Sequence, residues 1–123
     1  MNKICTSLEQ SLKLIGLGID VDTADMDYIP FANNPEEYDC AINVWNNEHE
    51  EDWIPCWSLA ALINVLPDTI TSNDGIAFKL NIKKNIIEYS NPSLYLIYKS
   101  VESDNIVDAC VKMILKLHEQ KLL

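Results

Sequence analysis

The sequence predicts an α+β fold: a two-layer sandwich in which a three-stranded antiparallel meander at about 76–99 is covered by helices at about 7–17, 59–66 and 104–120. Two observations carry this expectation. Ile76 to Lys83 alternates apolar and mostly polar residues with period two, and two further β-rich runs, Ile86 to Tyr89 and Leu94 to Lys99, follow at once. Runs this close must pair antiparallel, because parallel neighbours need a crossover of about a dozen residues or more. The second observation is helical spacing of apolar residues on both sides of the meander.

Each element has its own signature. Thr6-x-x-Glu9 and Ser7-x-x-Gln10 are overlapping capping boxes before Leu8, Leu12 and Ile15. They start a first helix, for which Gly18 and Ile19 offer a Schellman stop. Ser58 is the expected cap of a short second helix, with Leu59, Leu62, Ile63 and Leu66 on one face before Pro67. Lys84-Asn85 and Asn91-Pro92-Ser93 supply the turns of the meander. Ser103 or Asp104 is the expected cap of the last helix, whose apolar positions Ile106, Ala109, Cys110, Met113, Ile114 and Leu117 keep helical spacing.

The length of 123 residues and a hydrophobic content of 48% predict one domain, residues 1–123, able to bury a core. Between Asp20 and Asp52 the periodic signal fades and Pro30 and Pro35 interrupt it, which predicts a mostly irregular acidic connection at about 20–52. Ala41 to Trp45 is the one short strand expected within it. Cys5, Cys40, Cys56 and Cys110 form no C-x-x-C pair, and no apolar run has the length of a secretory or membrane-spanning segment. Reduced thiols in a cytoplasmic protein, with no membrane contact, are the expectation.

Charge is the most informative feature. The net charge of −10 arises entirely before residue 53, where twelve Asp and Glu face only Lys3 and Lys13; the remainder holds seven of each sign. All nine basic residues are Lys, so the bidentate guanidinium fork that reads guanine and phosphate is absent. No nucleic-acid partner is therefore expected.

Four strings run nearly from end to end of the chain: Ser7-Leu8-Glu9-Gln10-Ser11, Thr23-Ala24-Asp25-Met26, Ile54-Pro55-Cys56-Trp57-Ser58-Leu59 with Ala61-Leu62, and Val107-Asp108-Ala109-Cys110 with Met113-Ile114. In these the chain resembles a group of small uncharacterised proteins of gut bacteria and their phages or mobile elements. That group has no established activity, so the resemblance implies a genomic setting and assigns no functional residue.

The candidate chemistry is weighed residue by residue. Asp20-x-Asp22-x-x-Asp25-x-Asp27 gathers carboxylates, but an EF-hand loop requires Gly at its sixth position, where Asp25 stands, and Glu at its twelfth, where Phe31 stands. Glu48-His49-Glu50-Glu51-Asp52 lacks the second His of a zincin helix, since Trp53 occupies that position. Cys56 beside Trp57 has no nearby base in sequence, and the cysteines lack tetrahedral zinc spacing. No catalytic residue, metal ligand or cofactor is assigned.

The remaining constellation is aromatic and acidic. Tyr28, Tyr38, Trp45 and Trp53 punctuate the acidic stretch beside Asp25, Asp27, Glu36, Glu37, Glu50 and Glu51, a composition suited to a basic protein partner. A non-enzymatic accessory protein using these ten residues is the leading reading. A cation- or small-molecule-binding domain on the Asp20 to Asp27 cluster ranks second, and a hydrolase built on His49 last.

Overall fold

Ser7 opens the first helix of the computed structural model, which describes residues 3–31, 34–42 and 52–123. The Gln10 amide donates to Ser7 Oγ at 3.1 Å, and the Ser7 amide donates to Gln10 Oε1 at 2.9 Å, so the reciprocal capping box closes as its spacing predicts. Helix α1, Leu8–Gly16, ends in the expected Schellman geometry. Gly18 sits at φ 88°, its amide donates to Ile15 O, and the Ile19 amide reaches back to Leu14 O. Thr6, the rival cap, is instead fully buried; its hydroxyl accepts from the Trp57 amide at 3.0 Å and lies 2.8 Å from Ser11 Oγ.

Three strands follow α1: β1, Met26–Phe31; β2, Asn34–Ile42; and β3, Ile54–Cys56. They form an antiparallel sheet in the order β2-β1-β3, with Met26 opposite both Ile42 and Cys56, and Tyr28 opposite Cys40 and Ile54. Where the sequence predicts a mostly irregular stretch at about 20–52, the described residues include β1 and β2, because Pro30 and Pro35 sit where a sheet tolerates them. Pro35 and Pro55 lie on β2 and β3, the outer strands of the sheet among the described residues, and Pro30 lies past the last β1–β3 pair, opposite Tyr38 of β2. The expected strand from Ala41 to Trp45 is the end of β2 as far as Ile42; its remainder falls outside the described residues.

Helix α1 packs on β3, and beside it Cys5, Met26, Cys56 and the partly buried Tyr28 form an apolar cluster. Helix α2, Leu59–Val65, follows β3, with the Ala61 amide donating to Ser58 Oγ at 3.3 Å, so Ser58 caps it as expected.

A second sheet follows. Its strands are β4, Thr69–Thr71; β5, Ala77–Lys83; β6, Ile86–Asn91; and β7, Leu96–Glu102, antiparallel throughout in the order β4-β5-β6-β7. The predicted meander is present, with β4 added at its edge as a fourth strand. Lys84 and Asn85 make the two-residue turn between Lys83 and Ile86, with Lys84 at φ 38°. Helix α3, Ile106–Glu119, packs on β6 and β7. Its cap is Asn105, whose Oδ1 accepts from the Asp108 amide at 2.8 Å, in place of the expected Ser103 or Asp104.

Seven residues of α3 are buried, among them Met113, Ile114 and Leu117. Full burial of one such side chain contributes about 1.5–3 kcal/mol, whereas propensity differences among ordinary residues reach only about 0.7 kcal/mol. Packing on the sheet therefore holds this helix more than its intrinsic tendency does. Of the predicted helical layer, α3 packs on the meander in this way, and α1 packs on β3 of the first sheet.

The chain divides into two compact units, Met1–Asn64 and Val65–Leu123. The strands of the acidic stretch give the first unit a sheet and an apolar cluster of its own. Among the described residues, no helix is long and apolar enough to cross a membrane.

Candidate functional site

The division into units coincides with the division of charge. Residues 1–64 carry twelve acids against Lys3 and Lys13, and residues 65–123 carry seven acids against seven lysines, so the full net charge of −10 belongs to the first unit. The candidate partner-binding residues all lie in that unit, but they play different parts in it.

Asp25 is an internal anchor. It precedes β1, half-buried, and its carboxylate accepts from the Ser58 amide at 2.9 Å through Oδ1 and from the Ser58 hydroxyl through Oδ2. This ties the start of β1 to the start of α2, and a carboxylate at a helix N-terminus is favourably placed against the helix dipole. Asp27 lies on the central strand β1, opposite Ala41 and Pro55, and is only 1% exposed. Tyr28 is also directed inward, its hydroxyl donating to Thr6 O at 2.7 Å and lying 3.8 Å from Cys5 Sγ. Trp53 is half-buried just before β3.

Glu36, Glu37 and Tyr38 are placed together on β2, an outer strand of the first sheet. Asp39 lies on the same strand, so three acids fall within four residues of one sheet edge. Trp45, Glu50 and Glu51 lie outside the described residues, as does His49.

The aspartate cluster resolves into local roles. Asp20 Oδ1 accepts from the Asp22 amide at 3.0 Å and caps a single 3-10 turn, Val21–Thr23. Thr23 Oγ1 in turn accepts from the indole N–H of the fully buried Trp57 at 2.9 Å. Among the described residues, no three His, Cys, Asp or Glu side chains are grouped so that they could hold a metal ion.

Cys5, Cys56 and Cys110 are all buried. Burial pushes the Cys110 thiol up from its ordinary value of 9.0 to about 11, away from the thiolate that nucleophilic chemistry requires. Tyr89, buried on β6, is likewise pushed well above its ordinary value, chiefly by burial, then by Asp68 and Cys110.

Sequence reasoning misses a second polar constellation, in the other unit. Glu88 on β6 is only 5% exposed, although its neighbours in sequence read as a simple strand. Its Oε1 accepts from Asn81 Nδ2 at 3.2 Å and lies 3.1 Å from Lys83 Nζ. Asn81 stands directly opposite Glu88 across the β5–β6 ladder, and Lys83 lies two pairs along it, the diagonal neighbour on the same face. Lys83 is legible as the polar end of an alternating strand, but its acidic partner depends on register. Compared with known proteins, the chain matches no family model, no curated protein and no solved structure.

Proposed function

We propose that this chain is a non-enzymatic accessory protein whose first unit engages a basic surface on a partner protein. The observation that carries the reading is the confinement of the whole net charge of −10 to residues 1–64, one of the two compact units. A single sign of charge on one unit attracts an oppositely charged partner over a Debye length of about 10 Å at 0.1 M salt, speeding encounter and rejecting acidic competitors. The acidic edge strand β2, with Glu36 and Glu37, is the part of that unit where backbone hydrogen-bonding groups and carboxylates occur together. Asp25, Asp27 and Tyr28 support the unit from within, and the contacting surface lies on the remaining acids and aromatic residues.

The test is affinity capture with the purified chain at low and at raised salt, comparing the native protein with the double variant Glu36→Gln, Glu37→Gln. A control variant, Asp104→Asn, removes an exposed acid from the neutral unit. The expected partner is basic, is released as salt rises, and is lost from the β2 variant but kept by the control. Capture that is indifferent to salt, or equal for both variants, refutes the reading.

A further inference from the structure

The polar constellation of the second unit forms the floor of an open cleft of about 420 Å³, within the range of about 300–1,000 Å³ typical of small-ligand sites. Polar Asn81, Lys83 and Glu88 line it together with Tyr95, Leu96 and Ile97. The apolar lining is unusually open to solvent: Tyr95 is 94% exposed and Ile97 62%. Tyr95 closes the 3-10 turn Pro92–Leu94 in the left-handed conformation, φ 56° and ψ 37°. The turn is pinned by Asn91, whose Oδ1 accepts from the Leu94 amide at 3.2 Å and whose Nδ2 donates to Ala77 O at 3.1 Å. The ring is thus carried at the rim on a tied backbone.

The geometry points to a neutral, hydroxyl-rich ring, a saccharide unit, as the ligand of this cleft. Its polar lining joins a carboxylate to an ammonium, so the site presents no net charge and calls for no ionic ligand. Glu88 holds Asn81 and Lys83 in place, and the exposed Lys83 ammonium keeps further N–H donors beside the Asn81 side-chain carbonyl, a donor and an acceptor within one small area. Adjacent hydroxyls, each both donor and acceptor, suit these remaining sites, whereas an apolar ligand would cover the ammonium and return no hydrogen bond. The apolar lining fits the same molecule. The C–H face of a pyranose is apolar and weakly positive and stacks on the negative face of an exposed aromatic ring, while Leu96 and Ile97 exclude water from its edge. No part of this rests on the acidic unit or on its proposed partner.

Nuclear magnetic resonance of the labelled full chain tests the assignment. D-glucose, D-galactose, N-acetylglucosamine and short oligomers of each are titrated into the native protein and into Tyr95→Gly and Lys83→Gln. Glycine relieves the left-handed φ and removes the ring, and at a side chain this exposed it leaves the fold intact. The expected result is saturable shifts at the amides of Asn81, Glu88 and residues 95–97 with a Kd of about 1 mM, weakened about tenfold or more in both variants. Absence of saturable shifts with every saccharide overturns the assignment, as do shifts that survive unchanged in Tyr95→Gly. Adenosine, which also stacks on tyrosine, is the competing probe; binding of adenosine alone overturns it too.

Discussion

Asp25 provides the sharpest test of the structural reading, because the residue is a surface candidate by sequence and an internal anchor by structure. Asp25→Ala removes two acceptors from Ser58, one facing its amide and one its hydroxyl. A hydrogen bond to a charged group is worth about 1.5–3 kcal/mol, and a donor left unmet in a partly buried position adds a desolvation cost of about 1 kcal/mol or more. Water reaches this half-buried site and returns part of that loss, so the expected net cost is about 2–3 kcal/mol. The surface reading predicts instead a change within about 0.5 kcal/mol. All three tryptophans, Trp45, Trp53 and Trp57, belong to residues 1–64, so fluorescence during urea unfolding reports on the first unit selectively. For a unit of that size, about 2 kcal/mol corresponds to a fall in Tm of roughly 8–16 °C. Ser58→Ala supplies the second edge of a double-mutant cycle, with an expected coupling to Asp25 of about 1 kcal/mol or more. Strictly additive effects of Asp25→Ala and Ser58→Ala, or a neutral Asp25→Ala, refute the anchoring role.

Other expectations follow from the same physics. Ser7→Ala opens the reciprocal capping box of α1 and costs about 1 kcal/mol, read from the same tryptophan signal, whereas Thr6→Val costs more because the buried Trp57 amide loses its acceptor. Tyr89→Phe removes the hydroxyl that donates to Pro67 O at 2.7 Å and destabilises the second unit by about 1–2 kcal/mol in far-ultraviolet circular dichroism melts. Cys110 makes stability fall at alkaline pH. Its folded value of about 11 exceeds the ordinary 9.0, so the unfolded chain releases its proton first. Its contribution is complete below about pH 9 and is lost as pH rises through 11. Cys110→Ala is less stable at neutral pH through the cavity it leaves, but it shows a shallower decline across that window. In native protein treated with iodoacetamide, mass mapping finds Cys5, Cys56 and Cys110 protected until denaturant is added.

How much of this was legible in the chain depends on how far each interaction reaches. The capping box of Ser7 and Gln10, the Schellman stop at Gly18, the turn at Lys84-Asn85 and the apolar stripe of α3 involve residues a few positions apart, and their spacing alone predicts them. The candidate site was legible only as composition. Charge counts show where the acids are in the chain, but not that Asp25 is bound to Ser58, thirty-three positions away, or that Asp27 lies buried on a central strand. Glu88 was missed for a similar reason, since its burial depends on Asn81 and Lys83 across a ladder.

Sequence by itself determined the α+β class, three of the strands of the second sheet, the three helices and the segregation of negative charge, all of which are set by local periodicity or by simple counting. Tertiary structure alone decided that β1, β2 and β3 pair into a sheet within the acidic stretch, and that this sheet belongs to a unit separate from the neutral meander. Strand pairing joins residues distant in sequence, and a proline that ends a helix or a central strand is harmless where no neighbour needs its missing N–H. Whether Pro30, Pro35 and Pro55 break a strand or merely lie at its edge is therefore a property of the assembled sheet.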